Sequence, residues 1–265
     1  MKELNASREL WPRITAEARQ LSLAEPFLAS FYHTSILSHP DLASGLAFHL
    51  ASKLESAALS AIILQEVFQD LYDGEPAIIE SAARDIIAYQ ERDPACDLFS
   101  MPFLYFKGFH ALQAYRLTHC LWQQQRQSLA LFLQNRISVV FDVDIHPAAR
   151  IGDGIMIDHA TGVVIGETSV IGNNVSLLHS VTLGGCGSAS GDRHPKIADG
   201  VMVSTGAKLL GNINIGEGAK IAAGSVVLDD VAPHTTVAGV PAKVVGRPKE
   251  DQPAMDMNQG INEDG

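Results

Sequence analysis

Two short stretches bring together side chains suited to proton transfer and to binding charge. "IDHATG" places Asp158 beside His159, and "GDRHPKI" places Arg193 beside His194. An imidazole titrates near neutral pH, so it can take a proton and return it within one turnover. A guanidinium presents a planar fork that pairs both oxygens of a carboxylate. The same residues would also serve as an ordinary solvated loop end and a satisfied turn. Their setting in the chain has to decide between these readings.

That setting is a broken rhythm. Aliphatic residues recur in steps of six: Ile145, Ile151, Ile157; Ile165, Ile171, Leu177, Leu183; Ile197, Val203, Leu209, Ile215, Ile221, Val227. Small or β-branched residues follow four places later, and glycine often comes directly after, as in "IGDG", "IGNN" and "IGEG". Six fits neither the 3.6 period of a helix nor the 2.0 of a plain strand. It fits a β-helix with three flat faces and about 18 residues per coil, in which the aliphatic residues stack along the axis. The rhythm fails twice. Ile157 to Ile165 spans eight residues and contains Asp158 and His159. Leu183 to Ile197 spans fourteen, and Arg193 and His194 lie near the end of that insertion, before Pro195 stiffens the return. A prism built only of repeats has no pocket. Polar residues confined to its interruptions therefore point to a site.

The residues before this rhythm are helical in pattern. "DLASGLAFHLASKLESAALSAIILQEVFQDLY" spaces its apolar residues by three and four, with breaks at His39-Pro40, at Asp73 to Pro76 and at Asp93-Pro94. A further helix is expected from Gly108 to Leu133. The expected organisation is α+β: an N-terminal all-α helical domain over 1–141, a parallel β-helix of hexapeptide repeats over 142–248, and a flexible tail over 249–265.

The net charge of −11 argues against a nucleic-acid partner. Three cysteines without paired spacing argue against a disulfide framework or a CxxC metal site. The N-terminus has no apolar core of a signal peptide, and no stretch is long and apolar enough to span a bilayer. A soluble cytoplasmic protein is expected, with no membrane contact.

The repeats resemble the hexapeptide-repeat acyltransferases, whose coils wind left-handed. More closely, "DIHPAARIGDGIMIDHATGVVIGET", "SVTLGG", "GDRHPKI" and "AGVPAKVVG" resemble the serine O-acetyltransferase family. "RDPA" and "KGFHALQAYR" extend the resemblance into the helical half. It implies a left-handed β-helix and transfer of acetyl from acetyl-CoA to the hydroxyl of L-serine, on the path to cysteine.

The resemblance also assigns residues. His159 would be the general base and Asp144 would orient it; fifteen residues apart, they can lie on successive coils. Asp93 and Asp158 would meet the ammonium of serine, and Arg193 with His194 its carboxylate. Backbone amides at Gly184 and Gly185 are candidate oxyanion donors. Coenzyme A would meet backbone at Ala207 and Ala222, with Lys220 and Lys243 near its phosphates. No metal is implied.

Further expectations concern assembly and control. The family forms trimers with sites between subunits, and trimers pair into hexamers. L-cysteine is an expected inhibitor competing with serine. In many relatives a terminal isoleucine enters O-acetylserine sulfhydrylase; here Ile261 is followed by four residues, so that complex is doubtful. The alternatives are an acetyltransferase for a sugar or xenobiotic, and a non-catalytic scaffold. A zinc-dependent β-helix is disfavoured because no H-x-x-x-x-H pair exists.

Overall fold

The computed structural model describes residues 6–187 and 190–260. Helices α1 (Ala6–Ala24), α2 (Ala29–Tyr32), α3 (Leu42–Leu54), α4 (Ala61–Gly74), α5 (Ala77–Arg92), α6 (Ser100–Tyr105), α7 (Lys107–Gln123) and α8 (Gln127–Phe141) precede the first strand. The predicted breaks separate them. The Asp41 carboxylate caps α3 by accepting from the Ser44 amide. α5 stops at Arg92 because Asp93 takes the extended conformation that Pro94 demands. The single helix expected over Gly108–Leu133 is instead two. Gln125 adopts a left-handed conformation, φ 61°, and the Arg126 amide closes back on the Leu121 carbonyl. The second helix then runs on to Phe141.

The solenoid follows in coils. Its strands are β1 (Val143–Ile145), β2 (Arg150–Ile151), β3 (Met156–Ile157), β4 (Val163–Ile165), β5 (Val170–Ile171), β6 (Ser176–Leu177), β7 (Thr182–Gly184), β8 (Lys196–Ile197), β9 (Met202–Val203), β10 (Lys208–Leu210), β11 (Asn214–Ile215), β12 (Lys220–Ile221), β13 (Val226–Val227), β14 (Thr236–Gly239) and β15 (Ala242–Gly246). They form three faces, ordered β1-β4-β7-β10-β13, β11-β8-β5-β2 and β15-β14-β12-β9-β6-β3. The first is called the front face below. All pairings are parallel except the closing β14–β15 hairpin.

The register explains the six-residue step. Ile145 pairs with Ile165, Ile165 with Leu183, Leu183 with Leu209 and Leu209 with Val227. All five are buried. The same column forms on the other faces, for example Ile157, Leu177, Val203, Ile221 and Val237. Each coil thus covers the apolar surface of the last, which is why the period has to be kept.

The helices are bonded to the first coils through buried polar groups. Tyr89 donates its hydroxyl to the Ile157 carbonyl and accepts from the Ile157 amide. Asp85, wholly buried, pairs with Arg116 at 2.7 Å and accepts from Gln113 and the Ile155 amide. Gly108 allows α7 to close on β3: a Cβ there would stand 2.0 Å from the Ile157 carbonyl oxygen. These contacts fix the end of α5 and the start of α7 beside the corner that follows β3.

The tail over 249–265 is not flexible throughout: its described part folds back on the solenoid. Pro253–Asp256 form a helical turn, α9, which packs against α5. Ala254 is fully buried with Leu178 and Met202, and its carbonyl accepts from the buried Ser176 hydroxyl. The apolar Ala254 and Met257 give an otherwise polar segment something to bury. Ile261, on which the expectation about the sulfhydrylase rests, lies outside the described residues.

Candidate active site

Asp158 and His159 fall on one edge of the front face, and Arg193 and His194 on the other. The corner between β3 and β4 holds Asp158 to Gly162. The two-residue excess in the sequence is absorbed there by consecutive left-handed residues, His159 (φ 55°) and Ala160 (φ 61°). That backbone turns the imidazole outward, leaving its side chain 74% exposed in the single chain. Its Nε2 lies 3.7 Å from Asp158 Oδ2, within ion-pair range but too long for a hydrogen bond.

Asp93, at the end of α5, faces the same corner. Burial pushes the Asp158 carboxyl above the ordinary carboxylate range; His159 pulls it back, and Asp93 pushes it further up. Two carboxylates under mutual repulsion form a ready site for an ammonium group. Lys107, from the start of α7, donates to the Thr161 hydroxyl at 2.6 Å. His179, one coil on, sets its ring 5.7 Å from that of His159.

The opposite edge carries the inserted loop. Arg193 pairs with Glu167 at 2.6 Å and donates to the Gly191 carbonyl. Thr168 anchors the loop's return, because its hydroxyl accepts from the backbone amides of both Arg193 and His194. The Thr168 amide donates to His194 Nδ1 at 3.2 Å. That nitrogen is therefore an acceptor, and the neutral ring keeps its proton on Nε2. Burial, helped by the Arg193 charge, lowers the pKa of His194 and keeps the ring neutral. A Cβ on Gly166 would fall 2.0 Å from this ring, so the His194 position requires glycine there.

Asp144 is placed differently from the expected dyad. It faces outward on β1, between buried Val143 and Ile145, and its Oδ1 accepts from Gln134 of α8 at 2.7 Å. Among the described residues no hydrogen bond or ion pair joins it to His159 within one chain. Its Oδ2 has no partner there.

The coenzyme residues divide. Gly184 ends β7, and the Gly185 amide has no hydrogen-bond partner among the described residues. The Ala207 and Ala222 amides are already used, bonded to the Ser204 and Val237 carbonyls. Their carbonyl oxygens already accept from the Thr182 and Ser225 amides, and each has only its second lone pair left for a further bond. Lys220 does not fit the expected phosphate role: it is 5% exposed, and its ammonium is held by the Gly260 carbonyl of the folded-back tail. Lys243 is exposed on β15. Among the described residues no group of three or more His, Cys, Asp or Glu is placed to hold a metal ion, and no helix is long and apolar enough to cross a membrane.

Gln134, Glu167, Thr168 and His179 also contact the predicted residues, without a sequence signal that marks them. Glu167 and Thr168 sit inside an ordinary repeat, "IGET", and only the register places them under the loop. Gln134 lies on α8, one residue beyond the end expected for a single helix over Gly108–Leu133.

The family model for the serine acetyltransferase N-terminal region matches residues 10–114, within the helical half. A serine acetyltransferase of Escherichia coli (strain K12) is 60% identical over 253 residues, covering 96% of this chain and 93% of the relative. A crystal structure of serine acetyltransferase from Vibrio cholerae superposes with a TM-score of 0.95 at 56% identity, over 96% of this chain and 98% of that one. A serine acetyltransferase in complex with cysteine gives 0.94 at 57% identity, over 95% and 98%. Two further structures are complexes with serine, from Neisseria gonorrhoeae, and with CoA; each has a TM-score of 0.87 and 56% identity, over 89% and 97% for the first and 90% and 100% for the second. Likeness of this degree runs through both the helical half and the solenoid, and with it the chain belongs to the serine acetyltransferase family of acyltransferases.

Proposed function

We propose that the chain transfers the acetyl group of acetyl-CoA to the hydroxyl of L-serine, with His159 as general base, in a site completed by a second copy of the chain. The observation that supports this is the placement of the charged groups. Asp93, Asp158 and His159 line one edge of the front face, and Arg193 and His194 line the other. The strands between them are three residues long, about 10 Å of backbone before the corners are added. Both ends of one small zwitterion cannot be held across that face within one prism. Packing prisms about a three-fold axis brings the His159 edge of one copy to the loop edge of the next. Pairing of two trimers through the helical halves would give a hexamer.

In such a site Asp93 and Asp158 take the ammonium of serine. Arg193, already oriented by Glu167, takes the carboxylate, and His194 donates from Nε2 beside it. The hydroxyl then faces His159. As its oxygen attacks the thioester carbonyl carbon, the proton passes to the imidazole. The oxyanion is met by donors such as the free Gly185 amide. Collapse breaks the C–S bond, and the imidazolium returns the proton to the departing thiolate of CoA. Asp144, through its free Oδ2, would steady the imidazolium. The carbonyls of Ala207 and Ala222 and the ammonium of Lys243 remain available to CoA; Lys220 does not. The cysteine complex of a relative supports feedback inhibition, because cysteine shares the two charged groups of serine and would compete with it.

A thiol-release assay tests the acceptor. With acetyl-CoA and L-serine, free thiol should appear at a rate that depends on serine and is suppressed by L-cysteine competitively. Release with amino sugars or xenobiotic amines, and none with serine, would transfer the reading to the alternative acetyltransferases.

A further inference from the structure

His179 lies one coil beyond His159 at the same corner and has no part in the steps above. The two rings meet edge-on, with centroids 5.7 Å apart and planes at 71°. That is a favoured arrangement for aromatic pairs. The Nδ1 of His179 is buried and has no hydrogen-bond partner among the described residues. Leaving a buried ring nitrogen unpaired is costly. An aliphatic residue would fill the same space without that cost.

Among the described residues of one chain, little else holds the imidazole of His159, and Asp144 is bonded to Gln134 instead. Its side chain is largely exposed, and Asp158 is too distant for a hydrogen bond. The other charged groups facing the corner are Asp93 from α5 and Lys107 from α7, and the Lys107 ammonium is engaged with Thr161. Within one chain, His179 is the side chain whose ring contact can fix the plane of the His159 ring.

We propose that His179 is a positioning residue that orients the His159 imidazole toward the acceptor hydroxyl. This rests on His159 being the general base.

The test is a set of variants assayed for kcat and KM separately. His179→Ala should lower kcat about three- to tenfold, the scale of one aromatic edge-to-face contact, with both KM values unchanged. His179→Gln keeps the corner filled but offers no ring, and should lose as much; it also serves if the alanine variant does not fold. His179→Phe restores the ring and should recover most of kcat. In a His159→Asn background, His179→Ala should cost nothing further. Unchanged kcat in the Ala and Gln variants, equal losses in Phe and Ala, or a further loss in the His159→Asn background would each overturn the proposal. A fully active His159→Asn enzyme would instead remove the base reading on which it rests. An inactive His159→Asn enzyme with a flat His179 series would remove the positioning role alone.

Discussion

His159→Asn should lower turnover with serine by about two to four powers of ten, the usual contribution of a positioned acid–base group. Asparagine keeps the left-handed backbone accessible, since it is among the side chains that tolerate positive φ. The ring is exposed in the single chain, so little packing is lost. Thermal stability should therefore stay close to that of the parent protein. KM for acetyl-CoA should also hold, because the groups proposed to meet CoA lie elsewhere. Steady-state kinetics beside a melting curve decide the matter. A variant that keeps its turnover, or loses it only by unfolding, would leave the corner without a base.

Mild acid should unfold the chain from its helical half. His49 and His110 meet there with ring centroids 5.0 Å apart and planes tilted by 54°, His49 against Phe103 and His110 against Phe141. Burial lowers the pKa of His49 to about 3, with the Lys53 charge adding to it. Burial likewise holds His110 well below its ordinary value, helped by His49 and Lys53. The unfolded chain protonates both rings near pH 6.5, whereas the native chain refuses the protons. Stability is therefore present above that pH and lost as pH falls toward the depressed native values, by about 1.4 kcal/mol per pH unit for each ring. Asp85 acts in the opposite sense, because burial raises its carboxyl. A His49→Leu variant isolates the histidine share. Denaturant melts at successive pH values below 6.5 should show its stability falling less steeply than the parent's, by about 1.4 kcal/mol per unit. Parallel slopes would show that the buried ring does not oppose protonation.

The solenoid was legible because its energetics repeat. An aliphatic residue at each sixth position has one place to go, and register pairs such as Ile165 with Leu183 follow from it. The site was legible where that rule is broken, at Asp158–His159 and at Arg193–His194. What stayed hidden depended on tertiary placement. No spacing separates Lys243, free on β15, from Lys220, buried under the tail. The sequence distance from Asp144 to His159 allows a contact, yet Gln134 is what Asp144 binds within the chain. The turn at Gln125 uses a residue with no turn signature, so the helix break there was invisible. Ala254 and Met257 are too few to register as a pattern, although they are enough to fold the tail back.

Co-expression of two defective variants in equal amounts, with the random mixture of assemblies assayed unfractionated, addresses the shared site most directly. One carries His159→Asn and the other Arg193→Ala, and serine is kept below its KM. Each variant alone should be nearly inactive. In equal mixtures, a site between neighbours is intact when its imidazole comes from the Arg193→Ala chain and its guanidinium from the His159→Asn chain. About a quarter of parental activity should then return, as random pairing across a three-fold interface requires. Activity no higher than the average of the two variants assayed separately would contradict a site built across copies.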